Sequence, residues 1–281
     1  MRVAIIGLGL IGGSLGLALK AFGTEVVGFA RRPEVASQAV NRGVADRCAD
    51  NLPSTVKGAE IIVIATPVLA VKDIFIEMAE YLPKGAIVTD VASTKTEVMN
   101  WAREYLSSKV CFIGGHPMVG KEASGIAASD ADLFRGCTYC LVPGENVKAE
   151  SRKKLEDMVK AVGAKPFYID AKEHDALVAG ISHLPHLLSV ALVAATANDP
   201  RWPAMAKLAA SGYRDTTRLA SGDPRMSRDI CLTNKGPILE AIDNYINSLS
   251  ELRRLVSDGD EEIEDYFVRA REAREGWLRQ R

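Results

Sequence analysis

Met1-Arg2-Val3-Ala4-Ile5-Ile6-Gly7-Leu8-Gly9-Leu10-Ile11-Gly12-Gly13-Ser14 opens the chain: a β-branched strand that runs into a glycine loop and then into an apolar helical pattern reaching Phe22. Placed between strand and helix, the G-x-G-x-x-G spacing has a mechanical meaning. Gly7 permits a tight turn, Gly9 lets the backbone approach a pyrophosphate, and Gly12 lets the helix pack closely on the strand. The first helical amides, from Leu10 and Ile11 onward, would face the phosphates, helped by the helix dipole. A second strand over Glu25–Phe29 supplies the βαβ context that this motif requires. Gly7, Gly9, Leu10, Ile11 and Gly12 are therefore expected to bind a nicotinamide dinucleotide. Where the second strand ends, an NAD site carries an acid for the ribose 2′-OH. Here Gly28-Phe29-Ala30-Arg31-Arg32 has none. Arginine accommodates a 2′-phosphate, so Ala30, Arg31 and Arg32 point to NADP. NAD is the alternative if both arginines are merely solvated charges at a helix start.

Outward from this loop, short β-branched runs at Val3–Ile6, Glu25–Phe29, Ile61–Ala65, Ile87–Val91, Val110–Ile113, Tyr139–Val142 and Lys165–Ile169 alternate with amphipathic segments. Such alternation implies an α/β fold, a Rossmann-type doubly wound and mostly parallel sheet covered on both faces. Beyond Ala171 the strand signals stop. Long helical patterns follow over His174–Ala197, Pro203–Leu219, Pro224–Ser257 and Asp260–Arg281. The expected domains are residues 1–170, which bind the dinucleotide, and residues 171–281, all helical. The apolar excess of the second domain (Leu184, Leu187, Leu188, Val190 to Val193) implies burial against a second subunit, hence a homodimer.

The 281 residues are 47% hydrophobic and 25% charged, with a formal net charge of −1, which offers no electrostatic case for nucleic acid or a membrane surface. The N-terminus lacks the pattern of a signal peptide. No apolar stretch in the sequence reaches the roughly 18 residues of a spanning helix. Five scattered cysteines fit a reducing compartment, so the expected location is cytoplasmic. Cys137 and Cys140 form a C-x-x-C, but in a strand residues three apart point to opposite faces, and no second pair completes a zinc site.

Thr66-Pro67 follows the third strand and would line the crevice at its carboxyl edge, as would Asp90-Val91-Ala92-Ser93-Thr94-Lys95; capping of a following helix is the plain alternative for both. Of four histidines, His116 sits in Gly114-Gly115-His116-Pro117, read as a glycine-flanked loop on the ligand-binding edge of the sheet. His183-Leu184-Pro185-His186 follows Ser182, read as an N-cap, so both imidazoles would project near a helix N-terminus. No acid or cysteine at useful spacing gives that pair a third metal ligand, so no metal is expected. Gly212-Tyr213-Arg214-Asp215-Thr216-Thr217-Arg218 puts two arginines four apart. One could pair with Asp215 while the other clamps a substrate carboxylate bidentately.

In order and spacing, Gly7–Gly12, Asp90–Lys95, Gly114–Glu122, Ser182–His186 and Arg214–Arg218 resemble the prephenate/arogenate dehydrogenases of tyrosine biosynthesis, over nearly the whole chain. The resemblance implies oxidative decarboxylation of a cyclohexadienol carrying two carboxylates, with hydride passing to NAD(P). It places the catalytic base on His116, a neutral imidazole of ordinary pKa, about 6.5. It places an orienting and cofactor-contacting serine on Ser93, and substrate contacts on Glu122, His183, His186, Arg214 and Arg218, with Arg218 favoured as the clamp. It likewise implies dimerisation through the helical domain. One departure is Ser227, which stands where family members often carry an aromatic residue. Ending at Arg281, the chain is expected to hold no mutase or regulatory domain. Two other readings compete. A β-hydroxyacid dehydrogenase of the 6-phosphogluconate type would use a helical-domain lysine, yet no lysine lies between Lys172 and Lys207. A catalytically inactive NADP-binding sensor would leave His116 and the arginines idle.

Overall fold

The computed structural model describes residues 1–121, 123–145 and 147–280. Among them, eight strands form one sheet: β1 (Arg2–Ile6), β2 (Glu25–Phe29), β3 (Arg47–Cys48), β4 (Ile61–Ile64), β5 (Ile87–Asp90), β6 (Cys111–Pro117), β7 (Thr138–Pro143) and β8 (Lys165–Tyr168). Their order is β3-β2-β1-β4-β5-β6-β7-β8, parallel throughout except for the antiparallel pair β6–β7. The central strands are apolar at nearly every position because both faces are covered. Val3 and Ile5 of β1 enter one core cluster, and Ala4 and Ile6 enter the other, as the period-two alternation of a strand demands.

The helices of the first layer are α1 (Leu10–Ala21), α2 (Pro33–Asn41) and, later in the chain, α6 (Ala149–Ala161); α1 brings Leu15 and Leu19 to the first cluster, and α6 brings Leu155 and Val159. Helices α3 (Leu52–Val56), α4 (Val68–Met78) and α5 (Thr96–Tyr105) cover the opposite face with Val56, Phe75 and Val98. Strand order reverses between β1 and β4, and in open α/β sheets that reversal opens a ligand crevice beyond the carboxyl ends of the strands.

After β8 the chain is helical: α7 (Ala171–Val178), a π-helical turn (Ala179–His183), α8 (Leu184–Ala197), α9 (Trp202–Leu208), α10 (Ser211–Thr217), α11 (Pro224–Thr233), α12 (Lys235–Asp258) and α13 (Glu262–Arg279). Two of the expected long helices are thus divided, at Ala209–Ala210 and at Asn234. Ala209 and Ala210 are extended in backbone, a break that two good helix formers do not announce.

The N-cap assigned to Ser182 is also corrected. From Ala171 to Ala197 the chain is one continuous 27-residue helical stretch, capped at Asp170. Proline cannot donate its missing amide and crowds the carbonyl four residues back. The wider π-turn just ahead of Pro185 accommodates that, so the polar residues Ser182, His183 and His186 interrupt the apolar run without ending the helix. This helix is long and apolar enough to cross a membrane by length and composition, which corrects the sequence expectation that no segment is.

The chain divides into two compact units, Met1–Lys235 and Gly236–Arg281. The first contains the sheet and the helices through α11. Within the second, α12 turns into α13 at Gly259, whose φ of +60° suits glycine, and the Asp260 amide closes the turn on the Leu255 carbonyl at 3.1 Å.

Candidate active site

The loop from β1 to α1 is shaped by what a side chain would strike. Gly7 has φ +98°, and a Cβ there would lie 2.4 Å from the Ala65 carbonyl oxygen; its amide donates to Phe29 O at 2.9 Å. A Cβ on Gly12 would lie 1.9 Å from the Gly7 carbonyl oxygen, whereas one on Gly9 would meet nothing within 4 Å. Helix α1 starts at Gly9 with no side-chain cap and no acid in its first turn. Its first amides have no intrahelical partner, so the loop presents donors and a positive dipole end to open space above Gly9. Across the crevice the Thr66 hydroxyl is buried without a partner among the described residues, and Pro67 rather than Thr66 occupies the N-cap of α4. Ala30 is half-buried; Arg31 and Arg32 stand exposed at the start of α2.

His116 is not in a loop. It belongs to β6 and pairs with Cys140 of β7, which corrects the sequence reading. The glycines before it are strand residues that admit close neighbours: a Cβ on Gly115 would lie 2.4 Å from the Asp90 carbonyl oxygen and 3.0 Å from a Tyr139 ring carbon. His116 therefore sits at the carboxyl end of β6, on the same edge as Gly7. It is only 8% exposed. Burial first, and then the nearby His174, Lys95 and His183, hold its pKa well below the ordinary 6.5, so the ring is neutral but not of ordinary pKa.

A hydrogen-bonded chain runs behind it. His116 Nδ1 lies 2.9 Å from His174 Nε2, and His174 Nδ1 lies 2.8 Å from Asp175 Oδ1. Asp175 also accepts from the backbone amides of Lys95 at 2.7 Å and Thr96 at 2.8 Å, capping α5 from a different element. Burial pushes the Asp175 carboxyl up, but its bonds to His174 and to these amides prevail and hold it below the usual range.

Asp90 and Lys95, expected to line the crevice, are fully buried behind it as an ion pair. Asp90 further accepts from Gly115 N at 3.1 Å and Ala92 N at 2.9 Å, so one carboxylate ties the loop after β5 to the strand carrying His116. Ser93 is half-buried in that loop, and His116 has a hydrogen-bond contact with His174.

The two helical-domain histidines go to different partners, and neither is at a helix N-terminus. His183 is 4% exposed and close enough to His116 to depress its pKa. Its own pKa falls to about 4, chiefly through burial. Asn234 Nδ2 donates to the Asp175 carbonyl at 2.8 Å and reaches His183 Nδ1 at 3.1 Å. That nitrogen therefore accepts, and the proton of His183 is on Nε2, which is buried and has no partner among the described residues. His186 is half-buried, with Nε2 2.8 Å from Ser227 Oγ; the Ser227 hydroxyl also donates to the Asp223 carbonyl at 2.9 Å. Arg214 is exposed and pairs with Asp215 at 3.2 Å, the ion pair the sequence suggested for one of the two arginines. Arg218 is exposed on the turn Arg218–Ser221. Glu122 lies outside the described residues.

Sequence reasoning missed His174, Asp175 and Asn234. The adjacent His174-Asp175 at the start of the helix that carries His183 was the available signal; nothing local marks Asn234.

A crossover parallel sheet with a glycine cradle at its switch point, a buried imidazole on the same edge and a following helical domain define a dinucleotide-binding oxidoreductase. The chain matches the family model described as prephenate dehydrogenase, nucleotide-binding domain, over residues 15–168, and that described as prephenate dehydrogenase, dimerization domain, over residues 170–270. It is 38% identical over 279 residues to the prephenate dehydrogenase of Bacillus subtilis, covering 98% of this chain and 75% of that protein. The crystal structure of Synechocystis arogenate dehydrogenase superposes with a TM-score of 0.85 at 32% identity, covering 99% and 100% of the two chains. That of prephenate dehydrogenase from A. aeolicus, in complex with hydroxyphenyl propionate and NAD+, superposes with a TM-score of 0.91 at 29% identity, covering 98% of each. The chain belongs to the prephenate/arogenate dehydrogenase family.

Proposed function

We propose that the protein oxidatively decarboxylates prephenate, arogenate or both, with hydride transfer to NADP in preference to NAD, giving 4-hydroxyphenylpyruvate, tyrosine or both. One observation carries this reading: His116 is buried and neutral, and its Nδ1 is engaged by His174, which leaves Nε2 as the nitrogen open to a substrate. It lies on the sheet edge three strands from the glycine cradle, roughly 14 Å at ordinary strand spacing. A dinucleotide lies across that edge in this fold class.

The residues present fit such a cofactor: uncapped α1 amides with open space above Gly9, the orphaned Thr66 hydroxyl, and two exposed guanidiniums where a 2′-phosphate would lie. Gly7, Gly9, Leu10, Ile11, Gly12, Ala30, Arg31, Arg32, Thr66, Pro67 and Ser93 would hold it. When bound, the nicotinamide accepts the hydride. His116 takes the proton of the ring hydroxyl as hydride leaves the same carbon. The ring carboxylate departs as CO2, its bonding electrons complete the aromatic ring, and the ring oxygen takes the proton back from His116 to give the phenol. Arg218 is assigned the carboxylate clamp, with Arg214, His183, His186 and Glu122 around the substrate. A lysine-based β-hydroxyacid dehydrogenase is disfavoured because the helix facing this site brings His174 and His183, not lysine, to the base. An idle sensor would have no use for so elaborately held an imidazole.

The functional division is placed at 170/171, where the sheet ends and α7 begins. Homodimerisation through the helical part is supported by its exposed apolar residues, among them Leu177, Ile181 and Leu208, and by the dimerization-domain match. Free cysteines throughout support a reducing, cytoplasmic setting. The decisive assay supplies prephenate and arogenate, each with NADP and with NAD, and follows nicotinamide reduction with CO2 release. Turnover of at least one substrate, with higher kcat/KM for NADP, is expected. No turnover of either would refute the reading.

A further inference from the structure

Three buried side chains outside the glycine cradle form a directed hydrogen-bond chain, and the chemistry of its far end determines the protonation of its near end. Asp175 accepts one backbone amide on each carboxylate oxygen, from Lys95 on Oδ1 and from Thr96 on Oδ2. A carboxyl group so bonded is held as an acceptor-only anion. The nitrogen facing it at 2.8 Å, His174 Nδ1, must then carry a proton. In the neutral form an imidazole has one N–H, so His174 Nε2 then presents a bare lone pair. That lone pair faces His116 Nδ1 at 2.9 Å, which must donate to it. The remaining nitrogen of His116, Nε2, is then left without a proton. His174 and Asp175 are 1% and 2% exposed, so water does not compete for these bonds.

We propose that Asp175 and His174 are positioning residues that lock His116 in its Nδ1–H tautomer, making Nε2 the atom that takes the substrate proton. As that proton arrives, His116 becomes an imidazolium whose Nδ1–H still points at His174, and its positive charge is stabilised through His174 by the Asp175 anion. The His116 side chain then needs no rotation or proton rearrangement before it reacts. The catalytic part of this inference rests on the function proposed above; the tautomer does not.

Long-range 1H–15N spectra of the full-length protein labelled with 15N-histidine read the tautomers directly. The expected pattern is a protonated Nδ1 and bare Nε2 on both His116 and His174. Asp175→Asn removes the anion that fixes His174 Nδ1 as the donor and that stabilises the His116 imidazolium, so the His116 proton is no longer confined to Nδ1. Turnover should then fall about a hundredfold or more, the size of a disabled general base, with substrate KM changed by less than about threefold. Asp175→Glu should restore part of the rate. Because Asp175 also caps α5, His174→Phe is the second variant: it keeps the ring shape and the cap but removes the acceptor. It should lower kcat about 10- to 100-fold and mix the His116 tautomers while leaving NADP affinity unchanged. A wild-type spectrum with the proton on His116 Nε2, or full kcat in His174→Phe, would overturn the proposal. If the wild type turns over neither substrate, the functional reading fails, and the nitrogen spectra still decide the tautomer.

Discussion

At position 116 burial and hydrogen bonding act on the same ring. Burial holds the imidazole neutral by depressing its pKa well below 6.5, and the bond to His174 leaves one nitrogen available. A base works in its deprotonated form, so a lowered pKa extends activity toward acid. The acid limb of kcat/KM attributable to His116 is therefore expected below pH 6.5, and a pH–rate profile that loses activity at or above 6.5 would contradict this. At the other end of the crevice, replacing both Arg31 and Arg32 with Ala should raise KM for NADP about 10- to 100-fold, as expected for the loss of one charge-assisted contact of about 1.5–3 kcal/mol. KM for NAD should barely move; titrating both cofactors checks this. His116 and the arginines could be nominated as candidates from sequence because each sits beside a local marker, a glycine pair or a strand end. His174 was not, since its role arises only where α7 approaches β6. Depression of the His116 pKa is likewise a property of the packed site, which no neighbour in sequence announces.

Among the elements, the seven strands expected from β-branched runs all occur, with ends within a residue or two except for β6. That strand runs four residues farther, through Gly114-Gly115-His116-Pro117, because glycines that ordinarily mark turns here make room for the Asp90 carbonyl and Tyr139. Gly115→Ala tests this. The added methyl must displace the backbone at the end of β5, at a cost of about 1–3 kcal/mol typical of overpacking. The expected result is a lowered Tm together with reduced turnover, because the same strand carries His116; an unchanged Tm would show that the strands can part freely. The short β3 went unseen because two residues carry no periodicity. Helix breaks at Ala209–Ala210 and Asn234, and continuity through Pro185, were illegible for the converse reason: tertiary contacts there outweigh local propensity. Asn234 in particular ends its helix while bonding both Asp175 and His183.

For the molecule as a whole, neutral buried imidazoles imply acid sensitivity. Above pH 6.5 neither the folded nor the unfolded chain protonates His183. Between 6.5 and about 4 the unfolded chain binds that proton and the folded one does not. Unfolding then takes up a proton, and stability falls as pH falls. His183 alone accounts for a loss on the order of 3 kcal/mol by pH 4, and His116 adds in the same direction. Urea unfolding at pH 7, 5.5 and 4.5 should show a progressive decrease, diminished in His183→Asn; a flat profile would show that these rings charge freely in the folded state. The claim on which the account turns is that His116 itself accepts the substrate proton. The direct measurement is turnover of His116→Asn beside its dissociation constant for NADP. Loss of about two to four orders of magnitude in kcat is expected, with cofactor affinity within about twofold of the wild type. Near-normal turnover in that variant would contradict it.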